Sequence, residues 1–123
     1  MLKNLEIPEW VDNDHIFEWR ELLKRTLLNE RGYRSDLSGR LLLYSGCHLH
    51  EGILSRANVP KSVVWSYRIF HSVNCFLLTP DEHIPQPPSR AWCIEKAYAR
   101  YGRETVRAWY YSLPFRSFPF QLP

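Results

Sequence analysis

Three of the five histidines in this 123-residue chain lie at the two ends of one stretch. The first end reads Cys47-His48-Leu49-His50-Glu51-Gly52. The second runs Asn74-Cys75-Phe76-Leu77-Leu78-Thr79-Pro80-Asp81-Glu82-His83. Imidazole changes charge near neutral pH, and its nitrogens both ligate metals and move protons. Two imidazoles and a carboxylate within four residues, met by a third imidazole, could hold one divalent metal and leave one histidine free as a base. A lone histidine is more often a satisfied polar group; this clustering is harder to explain that way.

The elements that must bring these residues together can be read around them. Leu41 to Tyr44 form a short apolar run, which predicts a buried strand over Arg40–Tyr44 just before the histidines. Phe76, Leu77 and Leu78 predict a second strand. Thr79-Pro80-Asp81-Glu82 carries helix-start chemistry: a hydroxyl cap, proline at the first helical position, and acids in the first turn. Pro85, Pro87 and Pro88 must end that helix, because proline lacks the amide and clashes with the preceding turn. Residues two apart in a strand share a face, so His48 could stand beside His50, whereas Glu51 would need a local bend.

The order His, Asn, then His nine residues after the Asn, on a hairpin followed by a helix, resembles the H-N-H endonuclease family, whose fold is the ββα-metal (His-Me finger) core. The resemblance covers roughly residues 40–90. Leu49-His50-Glu51-Gly52-Ile53, with Arg56 beyond it, is similar to small stand-alone phage and prophage members. The resemblance implies that His50 is the general base, that Asn74 fixes the loop and orients that base, and that His83 is a metal ligand. The family usually places a second ligand directly before the base, where this chain has Leu49. His48 and Glu51 are the candidates for that role. An alternative frame makes His50 the ligand and gives His48 or Glu51 the base role. A longer family helix after the last histidine sometimes supplies one more ligand; the prolines argue against that here.

Net charge is +3, but its distribution says more. Residues 1–14 carry four acids and one lysine. From Gly52 to Pro123 there are nine Lys or Arg against four acids, which leaves +5 around and after the candidate site. A phosphate backbone is the natural partner for such a surface, though a solvated face would look the same. Arg56, Lys61 and Arg90 are the expected DNA contacts. The three cysteines form no C-x-x-C pair, so a four-cysteine zinc site is excluded, and the odd count does not suggest a disulfide framework. Cys47 and Cys75, each flanking a motif residue, could still approach each other. The segment from Met1 to Asp14 lacks an apolar stretch of signal-peptide type. No apolar run approaches the length of a membrane span. These features suggest a cytoplasmic protein with no membrane partner.

Elsewhere the chain reads as helices and connections. Residues 1–13 look like an extended lead-in with Pro8 and Trp10. Asn13 or Asp14 can cap a helix from about His15 to Arg31, stopped at Gly32. Ile16, Trp19, Leu23 and Leu27 share its apolar face, widened by Phe17, Leu22 and Leu28, with Arg20, Lys24 and Arg31 mostly opposite. Arg31, Arg34 and Arg40 bracket a loop and could meet a phosphate. Lys61–Phe70 could be a short helix or a strand, and His71 could contact substrate. Ser89 should cap a helix to about Tyr101, with Gly102 between it and another over about Glu104–Ser112. The phenylalanine-rich tail after Pro114 cannot be helical and should lie against the body of the domain.

The reading is one α+β domain over residues 1–123, with a ββα-metal core flanked by N-terminal and C-terminal helices. It is expected to be a divalent-metal-dependent DNA endonuclease. One ion is expected, Mg²⁺ or Mn²⁺ foremost, with Zn²⁺ possible. Its setting could be a homodimer or a larger phage or DNA-processing assembly. The alternative is a non-catalytic nucleic-acid-binding module with a structural or vestigial metal site.

Overall fold

In the computed structural model, which describes residues 13–123, the first helix α1 covers Asn13–Glu30. Leu23, Leu27 and Leu28 are buried along it, and Ile16 and Trp19 pack beside them. Phe17 and Leu22 do not widen this face; they are 65% and 51% exposed. At 3.6 residues per turn they fall about 100° or more from the Ile16–Leu23–Leu27 stripe, while Arg20 and Arg31 fall within about 60° of it. Arg20 and Arg31 are therefore not on the solvent side. Of the lead-in expected over residues 1–13, only Asn13 is described, and it is already helical; the rest, and the capping side chains expected at Asn13 or Asp14, lie outside what is described.

The strand expected over Arg40–Tyr44 does not form. Arg34 and Leu41 make one isolated bridge, and Tyr44–Gly46 is a single 3-10 turn. Leu41 and Leu43 are about two-thirds exposed, and only Leu42 is buried. Strand β1 is instead His48–Glu51, the histidine segment itself. It pairs antiparallel with β2, Cys75–Leu78, in the register His48↔Leu78, Leu49↔Leu77, His50↔Phe76, Glu51↔Cys75. An apolar run marks a strand only where its residues are buried. His-Leu-His-Glu alternates, as a half-buried strand should, with Leu49 inside.

Helix α2 (Val63–Ile69) crosses the long connection, with the Ser62 hydroxyl accepting the Trp65 amide, so the ambiguous Lys61–Phe70 segment is helical. One-turn α3 (Pro80–His83) follows β2 directly. It is fixed by a reciprocal cap: the Thr79 hydroxyl accepts the Glu82 amide, and the Glu82 carboxylate accepts the Thr79 amide at 2.9 Å. Burial opposes charge on Glu82, but hydrogen bonds from Ser35, Ser38 and Thr79 outweigh it and hold its pKa at about 2. Helices α4 (Arg90–Tyr101) and α5 (Arg103–Tyr111) complete an α+β fold, separated by Gly102 at φ 86°. Among the described residues, no helix is long and apolar enough to cross a membrane.

The hairpin lies between two apolar clusters. Cys47, Leu49, Cys75 and Leu77 face α1, joined by Leu42 and Phe70. Phe76 faces the other way, with Ile53, Leu54, Cys93, Ile94 and Val106. Leu122, Phe118 and Phe120 bring the tail onto that second cluster, where the Tyr110 hydroxyl donates to the Phe120 carbonyl at 2.6 Å. The tail thus packs on the body, as its phenylalanines suggested.

Candidate active site

Strand alternation sends His48 and His50 to one side of β1 and Leu49 to the buried other side. β2 then delivers the chain to Thr79, and the capped turn of α3 brings His83 back over the hairpin. The Nδ1 atoms of His48 and His83 lie 3.1 Å apart. The His50 ring centroid is 5.0 Å from that of His83, and the His48 centroid is 5.2 Å from it. All three imidazoles are half-buried. Residues from the two ends of the motif stretch thus meet on one face.

Two imidazole nitrogens 3.1 Å apart have two physical readings. One is a hydrogen bond between neutral rings in complementary tautomers. The other is one edge of a metal's coordination sphere. With metal–nitrogen bonds of about 2.0–2.1 Å, neighbouring ligand atoms stand about 3.0–3.4 Å apart. His48 and His83 therefore fit as a two-ligand edge. Among the described residues, no three His, Cys, Asp or Glu side chains form a complete cage.

Glu51 follows the opposite parity from His48 and His50. Its carboxylate is 3.5 Å from Arg56 Nε, and its side chain is 14% exposed. It is near enough for its charge to favour protonated His83. Of the two candidates for second ligand, His48 is the one whose ring nitrogen lies 3.1 Å from that of His83.

Burial lowers the proton affinity of His50, and the neighbouring His83 lowers it further, to a pKa of about 4. His83 is lowered too, by burial first and then by His48. Both rings are thus neutral at pH 7, the form that accepts a proton or ligates a metal. The cysteines are free and buried. Burial raises Cys47 to about 11 and Cys93 to about 12, and Cys75 further still, so thiolate chemistry is suppressed near neutral pH.

The side-chain hydrogen bonds of Asn74 go to backbone groups and not to the three imidazoles. Asn74 is fully buried, and its side chain makes four hydrogen bonds. Oδ1 accepts the amides of Ile53 (3.0 Å) and Leu54 (2.8 Å), while Nδ2 donates to the carbonyls of Leu54 and Ile69 (both 2.8 Å). Its own carbonyl accepts the Gly52 amide at 2.9 Å. Asn74 therefore ties both ends of the long connection to the hairpin.

The expected DNA contacts have different surroundings. Arg56 is exposed beside Glu51, with its guanidinium 5.2 Å from the Phe70 ring centroid. Lys61 is exposed just ahead of α2. Arg90 donates to the Ile53 carbonyl and Asn58 Oδ1 and lies over Phe120, bracing α4, the connection and the tail. Arg40 pairs with Asp81 at the surface. His71 is buried, with Nδ1 accepting the Val73 amide and its ring beside Trp109. Sequence reasoning missed Arg20. It reaches from α1 to within 5.9 Å of the Phe70 centroid, and its charge lowers the pKa of His83. Its helical angle placed it on the inward side, but Phe70 and His83 stand far along the chain from it.

Comparison with family models, with curated proteins and with solved structures yields no match.

Proposed function

We propose that the chain is an H-N-H-type endonuclease, a metal-dependent phosphodiester hydrolase acting on DNA, with β1, β2 and α3 as its ββα-metal core. The observation that carries this reading is the convergence of His48, His50 and His83 on one face of the hairpin, with Asn74 tethering the connection behind it. His48 and His83 would hold the ion. His50 takes the proton from the attacking water, a role that typically contributes about 10²–10⁴-fold. Asn74 keeps β1 in place. A bound divalent ion supplies charge stabilisation at the scissile phosphate and the leaving oxygen. Arg56, Lys61 and Arg90, together with Arg20, provide cations for the DNA backbone.

The donor set bears on the ion. Two imidazoles suit Zn²⁺ best, whereas Mn²⁺ and Mg²⁺ favour oxygen ligands, which water and the phosphate would supply. One observation favours a second assignment of the same residues. A pKa of about 4 makes His50 a weak base but a good neutral ligand. In that frame His50 and His83 are the ligands, and His48 is the base.

The test is conversion of supercoiled plasmid to nicked or linear DNA, with and without EDTA. The proposal expects cleavage that EDTA abolishes and added Mn²⁺ restores. A non-catalytic nucleic-acid-binding module would retard the plasmid on a gel and leave it uncut.

A further inference from the structure

A second polar site lies away from the histidines. The Asp36 amide donates to the Leu77 carbonyl, and the Asp36 carboxylate accepts the Leu77 amide. This occupies the edge of β2 opposite β1. Next to it is an open cleft of about 390 Å³ lined by the cations Arg31, Arg34, Lys96 and Arg100 and by the acids Glu30 and Asp36.

The floor of the cleft has a surplus of positive charge. Arg31 and Arg100 both pair with the one carboxylate of Asp36, at 2.8 and 2.6 Å. The Arg31 and Asp36 side chains are 4% and 2% exposed. One carboxylate neutralises one of the two guanidiniums, and Arg100, whose side chain is 24% exposed, carries the surplus at the cleft. Arg31 Nε and Arg100 Nη1 are buried with no hydrogen-bond partner among the described residues. Such orphaned donors in a native fold call for an explanation, and a bound anion is one. The Tyr101 hydroxyl accepts from Arg31 Nη2 at 2.9 Å, which leaves its own proton to donate. Arg34 and Lys96 add two further cations at the rim. Glu30 lines the cleft as well and offsets one of these cations, which leaves four cations against two carboxylates. The ends of α1 and α4 reach the cleft, and their dipoles offset part of the positive charge. An anion must therefore be held by direct hydrogen bonds rather than by the net field.

We infer that this cleft binds a phosphate group, carried by free phosphate or by a phosphomonoester of nucleotide size. Guanidinium forks and an ammonium are the donors that match phosphate oxygens. The volume lies at the small end of ligand pockets, about 300–1,000 Å³, and leaves room for a group attached to the phosphate. This site uses none of the histidine residues and does not depend on the nuclease reading.

The experiment is calorimetric titration of the full chain with inorganic phosphate, deoxyadenosine 5′-monophosphate and deoxyadenosine. Phosphate and the nucleotide are expected to bind and the nucleoside to fail. Tighter binding of the nucleotide identifies the phosphomonoester as the source, and equal binding identifies the free ion; both retain the phosphate site. The double variant Arg34→Ala/Lys96→Ala removes two cations that the fold does not bury and should weaken phosphate binding about tenfold or more. His50→Ala should leave it within about twofold. The inference is overturned by absence of phosphate binding, by equal binding of nucleoside and nucleotide, or by unchanged affinity in a double variant whose circular dichroism matches wild type.

Discussion

Asn74 makes four side-chain hydrogen bonds from a position without solvent exposure, so its replacement is read first in stability. Asn74→Ala leaves two amides and two carbonyls without their partner, each costing about 1–3 kcal/mol when buried. A loss of about 3 kcal/mol or more in urea unfolding is expected. Asn74→Asp keeps the acceptor but turns an oxygen toward the Leu54 and Ile69 carbonyls, so it too should lose stability. Equal unfolding midpoints for Asn74→Asp and wild type would contradict this bonding role. Its tethering role was legible from sequence through the family resemblance. Its partners were not, because Ile53 and Leu54 lie at the far end of the long connection. His50 gives a pH prediction. Its folded pKa, about 4, lies below its ordinary 6.5. Above pH 6.5 the ring is neutral folded or unfolded, and its contribution to stability is complete. As pH falls from about 6.5 to 4, the unfolded chain takes up a proton that the folded one refuses, and stability declines by up to about 1.4 kcal/mol per pH unit. His83 shifts in the same direction. Metal-free His50→Gln should therefore show a shallower loss across that acidic range; an unchanged slope would mean that His50 titrates normally in the fold.

At the scale of elements, the end of β1 depends on Gly52. A Cβ there would meet Cys93 Sγ and Cβ and the Phe76 ring, so β1 approaches α4 too closely for any side chain. Gly52→Ala should destabilise by about 1–3 kcal/mol, as overpacking does. Adding Cys93→Ala should recover part of that loss; a neutral Gly52→Ala would refute the close approach. Nothing local in the sequence marked this glycine, because its constraint comes from β2 and α4 rather than from its chain neighbours. The starts of α3 and α4 were legible, since Thr79 and Ser89 cap within three residues of themselves, whereas α2 stayed open between helix and strand although Ser62 caps it in the same way. β1 was misplaced because the leucine run before it is more apolar than the strand. What decides the strand is pairing with fully buried β2, a contact across the long connection.

Over the whole molecule, the hairpin serves two cores at once, and the tail closes one of them. Leu122 is 6% exposed within the cluster that Phe76 shares. Leu122→Ala should cost about 2–5 kcal/mol, measured by denaturant unfolding, whereas a freely moving tail would make the change neutral. The aromatic content predicted such packing. The Arg31–Asp36–Arg100 cluster escaped prediction because α4 is remote in sequence from α1 and each member alone resembles a surface charge. Whether this framework supports catalysis turns on His50, which stands beside the His48–His83 pair. The direct measurement is the rate of Mn²⁺-dependent plasmid nicking by wild type, His50→Ala and His48→Ala, each with its Mn²⁺ affinity. The account predicts that His50→Ala loses about 10²-fold or more in rate while Mn²⁺ affinity stays within about twofold, and that His48→Ala loses affinity. His50→Ala cutting at near the wild-type rate, or losing Mn²⁺ while His48→Ala keeps it, would contradict that assignment.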